Sequence, residues 1–127
     1  MKKSIATQQA PAAIGPYSQA IATEALVFVS GQLPIDPATG SIVAGGIKEQ
    51  TEQVFKNIEA ILAEAGLTMD HIVKTTVFLA DMSLFNEMNA VYAGQFAGTF
   101  PARSAVAVKA IPKDALVEIE VIAAKCP

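Results

Sequence analysis

Cysteine is nearly absent from this chain. The one thiol, Cys126, is the next-to-last of 127 residues, and the one histidine is His71. No disulfide can close within the chain, and no Cys/His set of metal-binding type exists. A reducing compartment and no metal are expected. Charge is sparse too: 17% of residues carry one, and the net charge is −3. The nine basic residues are scattered from Lys2 to Lys125 instead of forming the stripe that nucleic-acid phosphates require. Nucleic acid is therefore not an expected partner. No window approaches the ~20 apolar residues that span a bilayer, and the opening "MKKSIATQQAPAAIGPYSQ" lacks the apolar core of a secretory signal. A soluble, cytoplasmic protein without membrane contacts is expected. There is also no nucleophile–base triad and no phosphate-binding glycine loop. Any catalysis has to use water.

Apolar residues, in contrast, make up 52% of the chain. A chain of this length forms one domain, here residues 1–127, and buries roughly two thirds of its unfolded surface. The apolar excess suggests that part of the surface is covered by another subunit. Proline and glycine punctuate "PAAIGP" (11–16) and "LPIDPATG" (33–40). Between them, "YSQAIATEALVFVSG" reads as a hairpin turning near Thr23 to Ala25. After Gly46 the period becomes helical: Ile47, Val54, Ile58, Ile61, Leu62 and Ala65 form one stripe, and Gly66 stops it. "HIVKTTVFLAD" (71–81), rich in β-branched residues, reads as a strand buried on both faces. A second helix follows, capped by Asp81 or Ser83, with a stripe of Phe85, Met88, Tyr92 and Phe96. Then come a strand from Ala102 to Ala110, a turn at "IPKDA" and a last strand, "LVEIEVIAA". The order predicts an α+β domain, two helices packed on one face of a mixed sheet.

Alternation puts Arg103, Ala105, Ala107 and Lys109 on one face of their strand, with Ser104, Val106 and Val108 opposite. In the last strand Val117, Ile119 and Val121 share a face, leaving Glu118 and Glu120 on the other. The valine-rich faces are expected to meet the helices. If the two strands form a hairpin through "IPKDA", Ala105 stands across from Glu120, and Arg103 shares the helix-free face with Glu120. Two readings of that pair stay open: an ion pair at a sheet rim, or a clamp for a small carboxylate beside an acid or base, with Ala105 and Ala107 leaving a hollow for the ligand. Asn89, on or beside the second helix's buried stripe, needs partners for its amide and ties the helix to a loop or reaches a ligand. Tyr17 sits in a turn as a packed aromatic with a wet hydroxyl. Ser30 and Gly31 end a strand, and Gly31 would let a ligand approach the backbone.

The segments "APAAIGPYSQA", "VFVSGQLPIDPATG", "VKTTVFLADM", "MNAVY", "FPARSAV" and "IPKDALVEIEVIA" together resemble the RidA/YjgF family of reactive enamine/imine deaminases, over essentially the whole chain. The resemblance implies a chorismate-mutase-like fold, a homotrimer, and sites in the clefts between neighbouring subunits. It implies hydrolysis of 2-iminopropanoate and 2-iminobutanoate to 2-oxo acids and ammonia, without a cofactor. By the same resemblance Arg103 would grip the substrate carboxylate, and Glu120 would hold and activate water. Tyr17, Ser30, Gly31 and Asn89 would line the cleft. Many relatives carry cysteine where this chain has Ala105, so a thiol-dependent role is not expected here, although the backbone amide of Ala105 could still serve the carboxylate. A non-catalytic trimeric module binding small carboxylates or protein partners is the alternative. Glu120 argues against it, because a second carboxylate repels an anionic ligand.

Overall fold

The structure, a computed structural model, describes residues 1–125; Cys126, and with it the disulfide question, lies outside the described residues. The first regular elements are β1 (Lys3–Ile5), β2 (Ala20–Ala22) and β3 (Leu26–Gln32), and β2 and β3 form the predicted hairpin. Two short strands that the sequence reading did not separate, β4 (Ile35–Asp36) and β5 (Ser41–Ile42), make a small ribbon. Helix α1 (Ile47–Glu64) follows. Its start is fixed by Glu49, whose carboxylate accepts from Gly46 N–H at 2.9 Å. Its end is a Schellman turn: Gly66 takes φ +79°, Gly66 N–H donates to Ala63 O and Leu67 N–H to Leu62 O. Val54, Phe55, Ile58, Ile61 and Leu62, all essentially fully buried, form its inner stripe.

Strand β6 (Ile72–Leu79), helix α2 (Phe85–Ala93), strand β7 (Ala102–Ala107) and strand β8 (Val117–Ala124) complete the domain. Asp81 caps a short 3₁₀ turn that leads into α2 by accepting from Ser83 N–H at 2.8 Å. The six-stranded sheet runs β1-β2-β3-β8-β6-β7. The domain is thus α+β, a mixed sheet with two helices, as expected.

The expected β7–β8 hairpin is absent. Strand β6 lies between the two, pairing parallel with β7 (Thr75 opposite Arg103) and antiparallel with β8 (Thr75 opposite Val121, Thr76 opposite Glu120). The linker explains why. Ile111 is buried, Pro112–Asp114 forms a 3₁₀ turn, and Lys113 and Asp114 both adopt positive φ. That geometry carries the chain across β6 instead of folding β8 back onto β7.

One sheet face carries Val27, Val29, Val77, Leu79, Val117, Ile119 and Val121, all buried beneath the helices. The other carries Phe28, Thr76, Phe78, Glu118, Glu120 and Ile122, and no helix among the described residues covers it. Strand β6 is accordingly buried on one face and half-exposed at Lys74, Thr76 and Phe78 on the other. The valine of β7 does not meet the helices either: Val106, paired with Phe78, lies on the open face and is 46% exposed.

Candidate active site

Arg103 is built into the helix side of the sheet. It pairs with Thr75, whose partner on β8 is Val121, so its side chain rises on the face that α2 covers. Glu120 points to the other face. The expectation that Arg103 and Glu120 share the helix-free face is therefore wrong: read through β6, Ala105 aligns with Val77 and Val77 with Ile119, one residue out of the assumed register with Glu120. An intrachain ion pair between them goes with it.

The setting of Arg103 is a constructed one. Its Nη1 donates to Asn89 Oδ1 at 2.6 Å, a short charge-assisted bond to an amide and not to a carboxylate. The guanidinium carbon lies 4.6 Å from the centre of the Tyr92 ring and 5.4 Å from that of Phe85. Tyr92 is itself pinned, its hydroxyl 2.7 Å from Thr75 Oγ1 in the core and its ring packed edge-to-face with Phe55 and tilted against Phe96. Asn89 precedes Tyr92 by three residues on α2, so one helix supplies both the floor and the side support of the cation. Arg103, Asn89, Tyr92, Ala93, Phe100 and Pro101 line a depression of about 480 Å³.

Val108 N–H donates to Leu79 O at 2.9 Å. By the alternation of a strand, the even-numbered amides of β7 then point to β6 and those of Arg103 and Ala105 to the free edge. Ala105 packs its methyl toward the core opposite Val77 and leaves its N–H at that edge.

The open face holds the remaining candidates. Tyr17, Ser18, Ile21, Phe28, Ser30, Lys74, Thr76, Glu120 and Ile122 line a pocket of about 610 Å³. Ser30 Oγ donates to Ser18 O at 2.6 Å and its N–H to Gln19 O, which fastens the Tyr17 loop to β3. Buried Gln19 continues the tie, accepting from Thr7 N–H and donating to Pro11 O, both at 2.7 Å. Tyr17 itself is 53% exposed. Lys74 Nζ donates to Ser104 Oγ at 3.1 Å.

Gly31 has a different surrounding from the one expected. A Cβ there would lie 3.0 Å from Cδ and 3.2 Å from Cγ of Glu118, so that carboxylate, not open space, occupies the approach. Burial, and then the charge of Glu120, pushes the Glu118 carboxyl above the usual glutamate range.

The structure thus separates the sequence candidates into two sets: Arg103, Asn89 and Ala105 at the β7 edge, and Tyr17, Ser30 and Glu120 on the open face, with Gly31 beneath Glu118. Lys74, Thr76 and Glu118 were missed. Their signal was the alternation of β6 and β8, obscured for β6 by treating that strand as buried on both sides. Among the described residues, no three His, Cys, Asp or Glu side chains converge as a metal site. No helix among them is long and apolar enough to cross a membrane.

Fold and site define a class: a small α+β domain with a supported cation at one sheet edge and a pocket holding one carboxylate, Glu120, on a bare sheet face. The family model described as endoribonuclease L-PSP matches residues 7–125. The chain is 54% identical to a RutC family protein of Pyrococcus horikoshii over 98% of this chain and 99% of that one. It is 46% identical to the mouse 2-iminobutanoate/2-iminopropanoate deaminase, covering 100% of this chain and 94% of the relative. Among solved structures, E. coli TdcF with bound serine superposes with a TM-score of 0.94 at 43% identity, over 98% of this chain and 99% of that one. The chain belongs to the RidA/YjgF family.

Proposed function

We propose that this protein hydrolyses reactive 2-imino acids, 2-iminopropanoate and 2-iminobutanoate with their enamine tautomers, to 2-oxo acids and ammonia, in clefts shared between the subunits of a homotrimer. The observation that carries the reading is the division of the site. Arg103 and Glu120 lie on opposite faces of one sheet, each on a prepared setting, and a second copy laid on the open face would bring its β7 edge toward the first copy's Glu120. The open face has the composition for such a contact, with Phe28 and Val106 exposed beside Phe78 and Ile122. The name of the mouse relative supports the activity, and the serine held by TdcF supports a site for a small amino-acid-like carboxylate.

In this reading Arg103, aided by the edge amide of Ala105, grips the substrate carboxylate, and Asn89 and Tyr92 hold the guanidinium in plane. The iminium carbon is already electrophilic, so no covalent intermediate with the protein is needed. Glu120 takes a proton from a water as its oxygen bonds to C2, and the C=N electron pair moves onto nitrogen. The resulting carbinolamine receives that proton on nitrogen, the C–N bond breaks with loss of ammonia, and the hydroxyl closes to the ketone with release of its proton. Tyr17 and Ser30 line the cleft and hold the water and the leaving nitrogen. No cofactor is required by this sequence of steps.

The test is a coupled assay in which a pyridoxal-phosphate-dependent dehydratase generates the imine and its decay to oxo acid is followed with and without the protein. Acceleration over the buffer rate is expected, with most of it lost in Glu120→Gln while oxo-acid binding by calorimetry persists. Binding without acceleration would mark a carboxylate-binding module and overturn the reading. Light scattering should give a trimer mass at micromolar concentration, and a monomer would remove the shared cleft.

A further inference from the structure

Glu118 has no part in the chemistry above, yet on the open face it is half-buried against Gly31. Between the pairs Val29–Val121 and Gln32–Ile119, β3 advances three residues while β8 advances two. The extra residue makes a bulge at Ser30–Gly31. Gly31 is not in the left-handed region, so any residue could adopt its backbone. A side chain there would have to push aside the Glu118 carboxyl, which lies where the Cβ would be. Glu118 pairs with Phe78 on β6, so its carboxyl lies over the bulge on the open face.

Glu120 follows two residues later on the same face, about 7 Å along the strand. The other ionisable groups on this face are Lys74 of β6, bonded to Ser104, and the Tyr17 phenol from the loop before β2. From β3 come Phe28 and Gly31, and from β7 Ala102, Ser104 and Val106, none of them ionisable.

We propose that Glu118 is a positioning residue for Glu120, an acidic neighbour whose carboxyl sits in the space left by the missing side chain of Gly31 and whose charge state sets how strongly Glu120 draws a proton from water. The inference rests on the role given to Glu120 above. Two carboxylates on one face repel, and the repulsion is mutual. Burial and Glu120's charge keep Glu118 protonated beyond the ordinary glutamate range. When Glu118 finally ionises, the negative potential at Glu120 rises and its hold on a proton strengthens. Turnover should therefore gain a second step as pH rises above that range.

Three measurements decide it. Glu118→Gln keeps the shape and removes the charge, so the background-corrected pH profile of kcat/KM should lose its second inflection while the trimer persists. In protein carrying 13C-labelled glutamate, the Glu118 carboxyl signal should titrate at lower pH in Glu120→Gln than in the parent, a readout that needs no turnover. Gly31→Ala, which displaces the carboxyl without removing it, should move the inflection to lower pH. An unchanged profile in Glu118→Gln, or a Glu118 signal indifferent to Glu120→Gln, overturns this inference alone. Undiminished turnover in Glu120→Gln overturns the assigned role of Glu120 and this inference with it.

Discussion

Arg103→Lys separates geometry from charge. The substitution keeps one positive charge but replaces a planar fork with a compact ammonium. In the structure the guanidinium already gives Nη1 to Asn89 at 2.6 Å and lies 4.6 Å over Tyr92, which leaves its remaining N–H groups aimed in a fixed plane. An ammonium on a mobile stem cannot donate to Asn89 and present two parallel bonds to a carboxylate at once. Losing one charge-assisted hydrogen bond costs about 1.5 to 3 kcal/mol. At about 1.4 kcal/mol per decade, kcat/KM should fall roughly 10- to 100-fold. Arg103→Ala should fall further, since nothing then offsets the repulsion between Glu120 and the substrate carboxylate. The assay is dehydratase-coupled imine decay with the spontaneous rate subtracted, alongside light scattering to confirm that assembly is intact. If both variants stay assembled and turn over at the parent rate, Arg103 is not the carboxylate grip.

Three further outcomes test the scaffold. Tyr92→Phe removes the buried 2.7 Å bond to Thr75 and leaves that hydroxyl unpaired, so stability should drop by about 1 to 3 kcal/mol in urea titration. Asn57, buried in α1, donates to Leu33 O at 3.1 Å and Ile35 O at 3.0 Å, and Asn57→Ala should lower stability by about 2 to 4 kcal/mol and loosen the β4–β5 ribbon, seen as faster amide exchange there. The raised Glu118 means that the folded state holds a proton the unfolded chain has lost, so its contribution weakens as pH rises through and above the ordinary glutamate range; Glu118→Gln should flatten that part of the urea midpoint against pH.

Local pattern carried much of this. The 3.6-residue stripe from Ile47 to Leu62 and the stop at Gly66 give α1 almost residue for residue, because a buried helix face and a left-handed cap leave direct marks on composition. The alternation within β7 likewise puts Arg103 and Ala105 on one face, as found. Alternation says nothing, however, about the phase between two strands unless their neighbours are known. The pairing of β7 with β8 was inferred from a turn-like linker, and inserting β6 between them slips the phase by one residue, which moves Glu120 to the far side of the sheet. Glu118 was invisible for a similar reason: its meaning depends on the bulge that brings Gly31 beneath it, and a bulge is a mismatch between two strands far apart in sequence.

The place of β8 bears on how the chain is made. Strand β8, the last of the described strands in chain order, is an inner one, hydrogen-bonded to β3 on one side and β6 on the other. Until Val117–Ala124 arrives, the hairpin half and the β6–β7 half have no common partner. Each exposes an unpaired edge bordered by the valines destined for the core. Folding is therefore held back until β8 is present, and nonlocal pairing of this kind is slow and open to association in the interval. A chain lacking this strand should be not a slightly weaker domain but two disconnected fragments of a sheet, recovered in the insoluble fraction.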